Sequence, residues 1–233
     1  MIPARKSAWF ERAFAAYNRN LIARRFEGLR VAGASNLRER PHDAPLILYA
    51  NHSSWWDGLI VFQIGRACRL DQYALMEEKQ LRVYPLFRRI GAFSIVRERA
   101  REAAQSVDYA AALLRGTARA LWIFPQGETL PNDVRPLRFF NGVVHIIKRA
   151  NGAYAAPVAL RYEFLDDFKP AAFARVGAVQ RIDVGENFNA KLITPALAER
   201  LTMTLDQVRA DVLRGRLDEY VEIVAPSQRS KKF

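Results

Sequence analysis

Three short stretches of this 233-residue chain carry side chains whose types and spacing suit chemistry. The first, Asn51-His52-Ser53-Ser54-Trp55-Trp56-Asp57-Gly58, follows the apolar run Leu46-Ile47-Leu48-Tyr49-Ala50. A carboxylate five residues after an imidazole can hold one ring nitrogen and leave the other as a general base. It fixes the tautomer and stabilises the imidazolium that forms. The same spacing fits a second reading, in which Asp57 caps a helix beginning near Gly58 and His52 is a hydrogen-bonded strand end. The second stretch, Gly91-Ala92-Phe93-Ser94-Ile95-Val96-Arg97, ends on an arginine placed either for bidentate phosphate binding or for a surface ion pair. The third, Ile123-Phe124-Pro125-Gln126-Gly127-Glu128-Thr129, is a tight turn that either lines a site with its amides and polar side chains or merely connects two elements.

The elements that position these stretches follow from hydrophobic patterning. Leu46 to Ala50, Tyr73 to Met76, Ala92 to Val96, Ala120 to Phe124 and Tyr154 to Leu160 predict buried strands. Leu29 to Ala32 adds a short strand, and Arg175 to Val184 one or two more. Helical periodicity covers Trp56 to Ile64, Glu77 to Ile90 with a break at Pro85, Glu102 to Arg115, Gly142 to Arg149, and Ala196 to Arg214. Such alternation predicts an α/β fold, a central and mostly buried sheet flanked by helices. The whole chain, 1–233, is expected to be one domain, and all three stretches fall where strands end, the usual place for chemistry in such folds.

Taken in order, the three stretches resemble the glycerolipid or lysophosphatidic-acid acyltransferase family. Its pattern is a histidine, four residues and an aspartate, then Gly-x-x-Phe-x-x-Arg, then Phe-Pro-Glu-Gly-Thr-Arg, then a proline-bearing strand. Here these positions hold His52 and Asp57, Gly91 and Arg97, Phe124-Pro125-Gln126-Gly127, and Ala156-Pro157-Val158. Lys79, Leu81, Pro85 and Phe87 resemble the stretch before the second block, and Phe139, Gly142 and His145 the helix start after the third. The resemblance spans Leu46 to Leu160 and implies acyl transfer from acyl-CoA or acyl-carrier protein to a lipid hydroxyl. His52 would be the base and Asp57 its orienting partner, with no cofactor and no acyl-enzyme. Asn51, Arg97, Phe124, Pro125, Gln126, Gly127 and Glu128 would contact substrate. The chain departs from the pattern at Ser94, where the family has Phe, and at Gln126, Glu128 and Thr129. The last three replace Glu, Thr and Arg, which makes the turn less hospitable to a phosphate and leaves the acceptor open: a lysophospholipid, or a hydroxyl on a glycolipid, a carotenoid glycoside or an aminolipid.

Charge and composition bound the partners. Thirty-six basic residues against twenty-four acidic ones give +12, which predicts attraction to polyanions such as anionic lipid surfaces. A helix expected over Ser7 to Phe26 sets Phe10, Phe14, Tyr17 and Leu21 along one stripe, beside six basic residues, Arg5, Lys6, Arg12, Arg19, Arg24 and Arg25. That suits an N-terminal amphipathic arm, residues 1–28, lying in the headgroup region, and equally a helix packed onto the domain. No run of ~18 apolar residues is present, and charges recur from Arg5 to Arg25 where a signal peptide would be apolar. The expectation is a peripheral protein on the cytoplasmic face of a membrane. The single Cys68 precludes an internal disulfide, and His42, His52 and His145 lack metal-ligand spacing. Two rival readings are a non-catalytic binder of membranes or nucleic acid, using Arg135, Arg138, Phe139 and Phe140, and a thioester hydrolase. Nucleic acid is not an expected partner.

Overall fold

The computed structural model describes residues 1–186 and 188–227. The basic tail residues Arg229, Lys231 and Lys232 lie outside them. In chain order, helix α1 (Ala8–Arg25) leads into strand β1 (Leu29–Ala32) and the short α2 (Ser35–Arg38). Strand β2 (Leu46–Ala50) is followed by α3 (Asp57–Ala67), β3 (Gln72–Glu77), α4 (Glu78–Val83) and a 3-10 turn (Pro85–Ile90). Then come β4 (Ala92–Ile95), α5 (Ala100–Leu114), β5 (Ala120–Ile123), α6 (Gly142–Arg149) and β6 (Ala153–Glu163). Strands β7 (Ala171–Val176) and β8 (Gln180–Ile182), helix α7 (Ala190–Leu213) and strand β9 (Val221–Val224) complete the fold.

All strands join one sheet, in the order β4-β3-β5-β2-β6-β7-β1-β9, with β8 paired to β6. The first five are parallel to their neighbours, β7 is antiparallel to β6, and β1 runs parallel to β7. Every residue of β2 and β5 is buried, which explains why their sequences are unbroken apolar runs: helices cover both faces. Side chains of α5, α6 and α7 fill one face, and those of α1 and α3 the other. The α/β architecture expected from patterning is therefore present. The carboxyl ends of β2, β3, β4 and β5 open at one edge, so His52, Glu77, Arg97 and Phe124 converge there.

Helix α1 is part of the domain rather than a free arm. Its inward face carries Glu11, Asn18 and Ile22, all buried. The Asn18 amide donates to the Leu59 carbonyl at 2.9 Å, and Phe14 packs edge-on against Phe62 of α3 and Phe87 of the 3-10 turn. Trp9 and Tyr17, at 64% and 62% exposed, face out. The helix thus both packs on the body and presents aromatics to the exterior. No helix among the described residues is long and apolar enough to cross a membrane.

Several boundaries differ from the sequence reading; β7, for example, begins at Ala171 rather than at Arg175, and two of the shifts have a plain cause. Helix α7 begins at Ala190, with Pro195 inside it, because Asn189 caps it by accepting from the Lys191 N–H at 3.0 Å. A proline early in a helix removes one intrahelical bond without ending the helix when the cap holds. Strand β6 runs three residues beyond the expected Leu160, because β7 pairs with it as far as Glu163↔Ala171.

Candidate active site

Trp56, not Asp57, is the N-cap of α3, and it makes no side-chain cap bond; Asp57 is instead the partner of the His52 imidazole. It is the first residue of α3, where a helix N-terminus favours negative charge, and it is fully buried. Its Oδ2 accepts from the backbone N–H groups of Ser53 (2.6 Å) and Ser54 (2.8 Å) and meets His52 Nδ1 at 2.7 Å. Its Oδ1 accepts from the Tyr162 hydroxyl at 2.5 Å. A buried carboxylate is tolerated only when it is well hydrogen-bonded, and four donors meet that need. With Nδ1–H donating to Asp57, Nε2 remains as the ring's acceptor. Burial, and then the Asp57 carboxylate, push the Tyr162 hydroxyl well above the usual tyrosine range. It therefore stays protonated and donating at neutral pH.

His52 is held on three sides. Its ring stacks on Phe124, with centroids 4.6 Å apart. Its backbone N–H donates to Gln126 Oε1 at 3.0 Å, and its carbonyl accepts from the Leu130 N–H at 2.8 Å. Asn51, just before it, reaches across to β6. The amide donates to the Leu160 carbonyl at 2.9 Å and to Asn132 Oδ1 at 2.7 Å, and its oxygen accepts the Leu160 N–H at 2.7 Å. Residues 130–132 are thereby strapped over the histidine loop.

His52 and Phe124 line a cavity of about 470 Å³, within the usual range for ligand sites. Its wall is mainly apolar and includes Val61, Phe62, Ala74, Ile90 and Ala92. Gln72 and Trp122 are also on that wall, and the Trp122 indole N–H donates to Gln72 Oε1 at 2.8 Å while the Gln72 amide donates to the Phe62 carbonyl at 2.9 Å. Gly65 lets α3 approach this pair, because a Cβ there would collide with the Gln72 amide. Arg97 lies at the same cavity. Its guanidinium is 3.6 Å from Glu77, sits over the Phe140 ring at 5.3 Å, and rests against Gly127, where any Cβ would collide with it. Gly127 also has φ +73°, the left-handed region, so both backbone and contact call for glycine.

Of the residues singled out in the sequence, His52, Arg97, Phe124, Pro125, Gly127 and Glu128 line this cavity together. Asn51 and Gln126, expected to contact substrate, are buried and occupied with the backbone of Leu160 and His52. Their place is beneath the histidine loop. Tyr162 was not anticipated: it sits on the part of β6 beyond Leu160, and no local spacing links it to Asp57. Among the described residues no cluster of His, Cys, Asp or Glu is suited to hold a metal ion.

Comparison with known proteins gives the family and the fold. The sequence profile of the Acyltransferase family matches residues 28–161, more than half of the chain. The chain is 30% identical over 170 residues to a lyso-ornithine lipid O-acyltransferase of Brucella abortus, covering 67% of this chain and 58% of that protein. It is 33% identical over 97 residues to a 1-acyl-sn-glycerol-3-phosphate acyltransferase of Streptococcus pneumoniae, covering 40% and 35% respectively. It therefore spans less than two thirds of the length of either relative. The crystal structure of a 1-acyl-sn-glycerophosphate acyltransferase from Thermotoga maritima superposes with a TM-score of 0.61 at 14% identity, over 86% of this chain and 80% of that one. That is a likeness of fold.

Proposed function

Because the chain belongs to the acyltransferase family, we propose that it moves a fatty acyl group from a thioester donor, acyl-CoA or acyl-carrier protein, to a hydroxyl of a lysolipid. The observation that carries this reading is His52, held by Asp57 at 2.7 Å, on the wall of a largely apolar cavity. His52 Nε2 takes the proton of the acceptor hydroxyl as its oxygen attacks the thioester carbonyl. The tetrahedral oxyanion collapses, the carbon–sulfur bond breaks, and the thiolate takes the proton back from the imidazolium. Asp57 stabilises that transient cation and keeps its own charge. The apolar wall receives the acyl chain, and Arg97 stands where the acceptor head group enters. The chemistry needs no cofactor beyond the donor.

The protein acts at a membrane surface, where its lipid acceptors reside. Support comes from the +12 charge and from the outward-facing Trp9 and Tyr17 of α1. The relatives act, by name, on a lyso-ornithine lipid and on a 1-acylglycerol phosphate. A lysophospholipid or a related lipid is accordingly the acceptor class.

The test is product formation from radiolabelled acyl-CoA or acyl-carrier protein with lysolipid, beside thioester loss without acceptor. His52→Ala should lower kcat by at least ~10²-fold. Asp57→Asn should lower it strongly, and the double variant should add little further, as expected of groups acting as a unit. A folded His52→Ala protein that keeps most of its transfer activity rules the mechanism out. Thioester loss that needs no acceptor indicates hydrolysis instead.

A further inference from the structure

The charge around the catalytic cavity runs against that of the protein. The chain carries +12, yet the charged side chains on the cavity wall are Glu77, Arg97 and Glu128, a formal −1. The single guanidinium is already 3.6 Å from Glu77. Glu128 is exposed, directly follows the Gly127 on which Arg97 rests, and forms no ion pair among the described residues. A phosphomonoester carries about −1.5 to −2 charges at neutral pH. One partly neutralised arginine flanked by two carboxylates is a poor host for it.

We propose that Arg97, Glu77 and Glu128 select an acceptor whose head group is zwitterionic, a primary ammonium close to an acid anion. This inference rests on the acyl-transfer reading above and names its acceptor class. Arg97 keeps guanidinium N–H groups beyond the one facing Glu77, and these take the carboxylate or phosphodiester of the head group in fork geometry. Glu128, directly after the Gly127 that meets both Arg97 and Phe140, takes the ammonium. The Phe140 ring faces the Arg97 guanidinium at 5.3 Å and steadies it, so the anion of the ligand meets a held positive charge while the neighbouring Glu128 offers a negative one to the ammonium. Complementarity of this kind rejects a dianionic head group through the carboxylates as much as it attracts the zwitterion through all three groups.

The experiment measures kcat/KM with three acceptors of matched chain length: lyso-ornithine lipid (ammonium and carboxylate), lysophosphatidylethanolamine (ammonium and phosphodiester) and lysophosphatidic acid (phosphomonoester). The wild-type protein should prefer one or both zwitterions to lysophosphatidic acid by at least ~10-fold, and the ranking of the two identifies the anion. Glu128→Gln should reduce that preference by ~10-fold or more, chiefly through the acceptor KM, with the donor KM little changed. Glu77→Gln, which frees Arg97, should shift it the same way. Glu128 is exposed, so its substitution leaves the fold intact, which a thermal melt verifies. Preference for lysophosphatidic acid in the wild type, or an acceptor ranking unmoved by both variants, overturns the inference while leaving acyl transfer in place. Transfer to none of the three acceptors overturns both.

Discussion

Gln126 Oε1 accepts the backbone N–H of His52 at 3.0 Å, which makes a buried glutamine the support of the histidine loop. A glutamate at this position offers the same acceptor, whereas alanine leaves the N–H without it, at a cost of about 1–3 kcal/mol. Gln126→Glu should retain kcat within a few-fold. Gln126→Ala should lower the melting temperature and reduce kcat ~10-fold with both KM values nearly constant. An alanine variant indistinguishable from wild type in melting and turnover would show that the contact positions nothing.

Tyr162 carries a pH signature. Burial and the neighbouring Asp57 carboxylate raise its hydroxyl above the ordinary tyrosine value. The native state therefore holds this proton to higher pH than the unfolded chain does. The associated stability is present below pH ~10 and declines as pH rises beyond it. Tyr49, Tyr73 and Tyr220 are raised as well, chiefly by burial. Tyr162→Phe should therefore flatten, without abolishing, the loss of unfolding free energy between about pH 9 and 11 in urea titrations. It should also lower activity at pH 7, because Asp57 Oδ1 loses a donor. Identical alkaline slopes in the two proteins would contradict this assignment.

The depth of the apolar wall should set the preferred acyl chain. Ala74 lines the cavity on β3, and Leu in its place occupies space that chain methylenes would fill. Each methylene excluded from an apolar site forfeits about 0.8 kcal/mol, roughly a four-fold change in affinity. Ala74→Leu should move the optimum towards shorter donors, read from kcat/KM across a series of acyl chain lengths. An unchanged optimum with intact folding places the chain elsewhere.

Membrane docking can be separated from packing on α1. Trp9 and Tyr17 face outward, whereas Phe14 packs on Phe62 and Phe87. The pair Trp9→Ser and Tyr17→Ser should weaken co-sedimentation with anionic vesicles, more visibly at high salt, where the charge attraction is screened. Activity on a short-chain, water-soluble acceptor should remain. Phe14→Ser should instead lower the melting temperature, and so should deletion of Met1 to Phe26, which removes the buried Ile22 and Phe26. Vesicle binding by the double variant equal to wild type would remove α1 from the docking surface.

What could be read in the sequence was what is local. His52 and Asp57 are five residues apart, so the turn that joins them is set by the chain itself, and the strands before them show as continuous apolar runs. Arg97 and the Phe124 turn were legible as strand ends for the same reason. Tyr162 was hidden because it meets Asp57 across 105 positions, through the pairing of β6 with its neighbours. Gln126 was placed at the site, but a position in a motif does not reveal which way its side chain points. Its inward turn became visible only with the backbone of His52 beside it. The early start of α7 was masked by Pro195, whose local rule was outweighed by the Asn189 cap.

The two bonds between the Asn51 amide and the backbone of Leu160, at 2.7 and 2.9 Å, let a side chain stand in for one further rung of β2. In hydrogen-exchange terms, the Leu160 amide is shielded by the loop that carries His52 and can exchange only when that loop lets go. Its exchange rate therefore reads out the detachment of the histidine from the sheet. The loop and the tip of β6, with Tyr162 on it, should open as one cooperative unit.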